Sequence, residues 1–97
     1  MLDHEIFKMV AEQMMSGGVV SVGEGSWDVA RTGKKRLRTV RFAISGKEYQ
    51  AIEQNPEKPS RWGKLAREGR RVVQFRDVAS GKYVAVAVDD HVTEYSR

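Results

Sequence analysis

Two stretches of the chain, LRTVRFAISGKEYQAIEQ at residues 37 to 54 and VVQFRDVASGKYVAVAVD at residues 72 to 89, carry strand-type patterning on both sides of a Ser-Gly dipeptide. Alternation of apolar and polar residues with period two describes a strand resting one face on a core, and a glycine-containing pair between two such runs describes a tight hairpin. With a two-residue loop at Ser45-Gly46, Phe42 faces Tyr49, Val40 faces Ala51 and Arg38 faces Glu53. Arg41 with Gln50 and Ala43 with Glu48 then fall on the opposite, polar face. The same construction at Ser80-Gly81 sets Phe75 against Val86 and Val73 against Val88, with Arg76 opposite Ala85, Gln74 opposite Ala87 and Val78 opposite Tyr83 on the other side. A chain committed to two such hairpins is a mainly β domain.

The remaining segments fit around these hairpins. Asp3 is a suitable N-cap for a helix over 3–16, ended by Gly17-Gly18, with Ile6, Met9, Val10 and Met14 on one side. Adding Leu2, Phe7 and Ala11 widens that apolar stripe to about 200°, broader than the ~100° a helix on a single core needs. Val19 to Val22 and Trp27 to Thr32 read as short strands around a turn at Gly23-Glu24-Gly25-Ser26, and Gly33-Lys34-Lys35 makes the next turn, so that strands occupy 19–54. The connector 55–69 contains Asn-Pro and Lys-Pro steps, then Ser60 as an N-cap and a short helix from Arg61 to Glu68 ended by Gly69. Trp62, Leu65 and Ala66 give this helix its buried stripe, while Gly63 inside it costs about 1 kcal/mol relative to alanine. Asp89-Asp90 turns the chain into Val92 to Tyr95, closing a three-stranded meander over 71–95. The fold expected is α+β: an N-terminal helix packed on a small antiparallel barrel or half-barrel of five to seven strands, with one short helix between two hairpins.

At 97 residues the chain fits a single domain, 1–97. It contains no cysteine, hence no disulfide framework and no thiolate chemistry. The start Met-Leu-Asp-His-Glu lacks the basic opening and apolar core of a signal peptide, and no run of eighteen apolar residues occurs, so a cytoplasmic protein without a membrane span is expected. Catalytic signatures are missing too. His4 and His91 are the two histidines, Gly23-Glu24-Gly25 does not open a helix as a phosphate-cradling loop would, and Asp89, Asp90 and His91 have the composition of a solvated turn. Neither an enzyme nor a bound cofactor or metal is implied.

Charge is the feature that bears on function. Residues 31 to 82 hold fifteen Lys or Arg against five Asp or Glu, whereas the rest of the chain holds two against eight. Arg31, Lys34, Lys35, Arg36, Arg38 and Arg41 span a turn and the start of a strand; Arg61, Lys64, Arg67, Arg70 and Arg71 lie on and after the short helix; Arg76 projects from an outer sheet face near Gln74 and Tyr83. If folding gathers these groups, they form a surface that follows phosphates, with Trp27, Trp62 and Tyr83 as rings on which bases could stack. The function expected is a small basic nucleic-acid-binding protein that contacts mainly the phosphate backbone. The competing expectation is a protein-interaction or homodimerising module that uses the N-terminal helix or a sheet edge.

Overall fold

The computed structural model describes residues 4–23 and 25–95, and the expected Asp3 cap and the Leu2 position lie outside them. Among the described residues there are two helices, α1 (His4–Ser16) and α2 (Arg61–Arg67), and eight strands. The strands are β1 (Val19–Val22), β2 (Gly25–Asp28), β3 (Ala30–Thr32), β4 (Leu37–Ile44), β5 (Lys47–Glu53), β6 (Val72–Asp77), β7 (Tyr83–Val88) and β8 (His91–Glu94). Strands β3 to β8 form one antiparallel sheet in sequence order, and β1 with β2 forms a separate two-stranded ribbon. The helix-on-antiparallel-sheet architecture is the one expected, with α1 laid on the sheet, and the six strands of that sheet fall within the five to seven anticipated, but the sheet does not close into a barrel. The strand expected over Trp27–Thr32 is broken at Val29, whose N–H bonds to the Gly18 carbonyl at 2.9 Å, and is divided between ribbon and sheet. Gly25 and Ser26, expected in a turn, instead continue the ladder, with Val22 opposite Gly25.

The core lies between α1 and the inner face of the sheet. Helical spacing puts Phe7, Val10, Ala11 and Met14 on one side of α1, and all four are buried. Phe7 stands at the centre: its ring stacks on Phe75 at 4.5 Å and meets Phe42 and Tyr49 edge-on at 5.9 and 5.2 Å. The broad apolar stripe is thus spent largely inside the domain, with Met9 left 38% exposed. At the end of α1, the Gln13 side-chain amide accepts from Ser21 N–H and donates to Ser21 C=O, which fastens the ribbon to the helix.

The first hairpin has the expected register, with Phe42 opposite Tyr49, Val40 opposite Ala51, Arg41 opposite Gln50 and Ala43 opposite Glu48. Ser45 and Gly46 both have positive φ (51° and 81°), as a two-residue hairpin turn of matching twist requires. The second hairpin departs from its expected register by one residue. Its loop is longer, because the Asp77 carboxylate accepts from the N–H groups of Ala79 and Ser80 and holds residues 78–81 in a wider turn, with Gly81 at φ 75°. Phe75 therefore faces Ala85 and Val73 faces Ala87, Gln74 faces Val86, and a bulge between Phe75 and Arg76 brings Arg76 opposite Tyr83. A slip of one residue exchanges faces. Val86 and Val88 consequently leave the core side for the outer face, where Val86 is buried together with Val72, on the strand that α2 contacts.

Helix α2 begins at Ser60, whose hydroxyl accepts from Gly63 N–H at 3.2 Å. It ends in Gly69 (φ 88°), with Gly69 N–H bonded to Ala66 C=O and Arg70 N–H to Leu65 C=O. Gly63, unfavourable by helix propensity, has a packing reason: a β-carbon there would lie 2.0 Å from the Lys58 carbonyl oxygen.

Candidate nucleic-acid interface

The registers align Thr32, Leu37, Gln54, Val72, Val88 and His91 across one end of the sheet. The turn at 33–36, the connector with α2, and the Asp89-Asp90 turn therefore all leave from that end. This brings together the two basic groups, one carried by Lys34, Lys35 and Arg36 and the other by Arg61, Lys64, Arg67, Arg70 and Arg71. Lys35 forms an ion pair with Glu57 of the connector, which ties the hairpin tip directly to the segment leading into α2. Lys58 is exposed on the same connector and belongs to the surface, although the charge pattern of strand and helix did not single it out.

Within this end the charges are not equally available. Arg70 Nε donates to Asp89 at 2.6 Å, and Arg71 approaches Asp90 at 3.9 Å. Bonds from Arg70 and from the Arg71 N–H hold the Asp89 carboxyl below the usual carboxylate range. Arg67 spans the connector, donating to the carbonyls of Pro56 and Lys58, neutral acceptors that bring no opposing charge. The Arg61 guanidinium lies 4.4 Å above the Trp62 ring, occupying a face of that half-buried indole. Lys34, Arg36, Lys58, Arg61, Lys64 and Arg67 make no ion pair with the described residues in this structure, and they are the cations left to meet an external anion. Arg36 also has a left-handed backbone, φ 55°, at the turn tip.

Of the other expected residues, Arg31 and Arg38 lie just inside this end and the rest farther away. Arg31 is on edge strand β3, donating to the Arg36 carbonyl at 3.3 Å. Arg38, its cross-strand neighbour, is engaged by Glu53 through its N–H at 2.8 Å and its guanidinium at 3.4 Å. Arg41 pairs with Glu48 at 3.2 Å on the outer face, toward the opposite end. Arg76 and Tyr83 share that face and row. Trp27 belongs to the core rim: it meets Phe42 edge-on at 6.4 Å and, with Ile6, Val22 and Ile44, lines an apolar cleft of about 550 Å³ at the end opposite the basic groups.

Gln50 was missed as part of the site. It stands between Arg41 and Arg76 and accepts a hydrogen bond from Arg76 Nη2. Its proximity to Arg76 depends on β5 pairing with β6, a long-range register that neither hairpin encodes by itself. Among the described residues no helix is long and apolar enough to cross a membrane. No protein-family model, curated protein or solved structure matches the chain.

Proposed function

We propose that this chain is a non-enzymatic nucleic-acid-binding protein of the cytoplasm, whose affinity comes from phosphate contacts at the basic end of its sheet with little reading of base edges. The observation that carries this reading is the convergence of two basic segments, separated by a whole hairpin in sequence, on one end of the fold beside the Lys35–Glu57 contact. Cations on a turn tip, a connector and a short helix present a discontinuous row of donors at different heights. Such a row suits the spaced oxygens of a phosphodiester backbone better than a single small anion. Each phosphate neutralised on duplex DNA adds about 0.9 to the slope of log affinity against log salt.

The reading is tested by fluorescence anisotropy of labelled single-stranded and duplex oligonucleotides across a salt series. The wild-type chain is expected to bind with a steep, log-linear loss of affinity as salt rises. Charge reversal at Lys34, Lys35 and Arg36, all exposed at a turn, should remove binding while leaving the thermal transition in place. No binding by the wild-type chain at low salt would refute the proposal.

A further inference from the structure

On the outer face of the sheet, Arg41, Gln50, Arg76 and Tyr83 follow one another across β4, β5, β6 and β7 in a single cross-strand row. Two of them are unusual for a sheet surface. Arg76 is half-buried and makes no ion pair with a described residue, and its Nε is buried without an acceptor. A half-withdrawn guanidinium normally has a carboxylate partner, since loss of hydration is otherwise uncompensated. Here its hydrogen bond is with the neutral amide oxygen of Gln50. Directly opposite stands Tyr83, 45% exposed, one of the large hydrophobic side chains left open to solvent. The Gln50 amide is itself braced by donating to Thr39 at 3.0 Å, and on the neighbouring row Gln74 donates to the Tyr95 hydroxyl at 2.9 Å, so polar bonds on both sides stiffen this patch.

We propose that Tyr83 and Arg76 form a subsite for one nucleotide of a single strand, the phenol ring stacking on the base and the guanidinium meeting its phosphate. The inference rests on the proposed function and narrows it from nucleic acid in general to single-stranded nucleic acid. Arg76 lies four residues along β6 from Val72 at the basic end, about 14 Å at the rise of an antiparallel strand, a distance that a few nucleotides cover. A single strand held by Lys34, Arg36 and Lys64 thus reaches Tyr83 by continuing along the sheet face. A duplex cannot use the subsite in the same way. Its bases are stacked on one another and present no free ring face, and a half-buried arginine level with the sheet is recessed from the phosphates of a stiff rod.

The experiment compares anisotropy titrations of a labelled twelve-nucleotide oligothymidine and a twelve-base-pair duplex, across salt, for the wild type, Tyr83→Ala, Tyr83→Phe, Arg76→Gln and the charge reversal at residues 34 to 36. Thermal melts confirm that each variant folds. Tyr83→Ala is expected to weaken oligothymidine binding roughly ten- to hundredfold with an unchanged salt slope, and Tyr83→Phe to restore it. Arg76→Gln should lower the single-strand slope by about 0.7. Neither substitution should alter duplex affinity. If the charge reversal abolishes binding but Tyr83→Ala matches the wild type on oligothymidine, the subsite is overturned and the basic end stands. Equal losses of single-strand and duplex affinity in Tyr83→Ala would also overturn it. If the wild type binds neither oligonucleotide at low salt, the proposed function falls and the subsite falls with it.

Discussion

Replacing Gly63 by alanine separates helix propensity from packing, because the two predict opposite signs. In an exposed helix the change would stabilise by about 1 kcal/mol. In α2 the new β-carbon would sit 2.0 Å from the Lys58 carbonyl oxygen and 2.9 Å from its carbon, against the 3.4 Å or more of an ordinary contact. Both obstructing atoms are backbone, so relief requires the connector to move away from the helix by more than an ångström. That movement strains the Arg67 Nη1 bond to the Lys58 carbonyl, now 3.0 Å. Overpacking of this kind costs about 1–3 kcal/mol and loss of a hydrogen bond about 1 kcal/mol more. Against the propensity gain, the net expectation is destabilisation of about 2 kcal/mol, or a fall of ~10 °C in the melting midpoint for a domain of this size. Urea and thermal unfolding measure it, with Lys64→Ala as the control for a substitution on the exposed side of the same helix. Because the strand α2 touches is β6, hydrogen exchange should show lost protection at the Lys64 and Glu68 amides before the β6–β7 ladder. A Gly63→Ala midpoint at or above that of the wild type would refute the reasoning.

Three further outcomes are expected. Arg36→Gly removes the cost of a left-handed arginine, roughly 1 kcal/mol, so it should raise the melting midpoint while reducing the salt slope of nucleic-acid binding by nearly one unit; stabilisation with unaltered binding would take Arg36 out of the interface. Phe7→Ala empties the centre of the aromatic cluster and should cost about 3–5 kcal/mol, read by chemical denaturation, whereas a loss below about 1 kcal/mol would mean that α1 does not anchor there. The Asp77 carboxyl is held below its ordinary range by its bond to Lys47, with help from the Ser80 and Ala79 N–H groups, and Asp89 is held down by Arg70 and Arg71. A carboxyl lowered in the folded state contributes stability that is present above about pH 4 and is lost as pH falls through the folded value, so Asp77→Asn should flatten the acid limb of the stability curve. Lys47, raised by the same contact, contributes stability that is complete below its ordinary value of 10.5 and fades above it.

The contrast between the hairpins shows what local sequence can specify. Ser45-Gly46 is flanked by residues that make no competing turn, and both positions accept the left-handed backbone, so the alternation around them fixes the pairing. Ser80-Gly81 looks the same in one dimension. Three residues before Ser80, however, Asp77 captures two backbone N–H groups and lengthens the loop, and this side-chain bond outweighs the shorter alternative. The slip has a packing consequence that alternation does not contain. Alanines 85 and 87, rather than valines, face the core opposite Phe75 and Val73, which leaves room for the Phe7 ring to stack on Phe75 at 4.5 Å. The displaced Val86 and its outer-face neighbour Val72 are buried on the outer side of the sheet, where α2 meets β6. Helix α1 and the Ser60 cap were legible because periodicity and capping are local. Whether the sheet closed was not, since closure depends on whether β3 and β8 meet, and the two remain at opposite edges of the sheet.

The convergence of charge follows from parity. In an antiparallel meander, every second connection leaves from the same end, so β3–β4, β5–β6 and β7–β8 share one end while β4–β5 and β6–β7 share the other. The first two of these carry Lys34, Lys35 and Arg36, then Lys58, Arg61, Lys64, Arg67, Arg70 and Arg71. The third carries Asp89 and Asp90, which engage Arg70 and Arg71 and so neutralise the side of that end nearest β8. What remains is an unpaired basic surface displaced toward β3 and the start of α2. Charge that is uneven along the sequence becomes uneven in space because its segments fall in alternate connections. The Arg76–Tyr83 patch needs more than parity: it requires the β5–β6 pairing that puts Gln50 beside Arg76, and the β7 bulge that turns Tyr83 to face it. Without that bulge the Phe75–Ala85 register would continue with Val84 opposite Arg76, which would separate the ring from the guanidinium without deleting either.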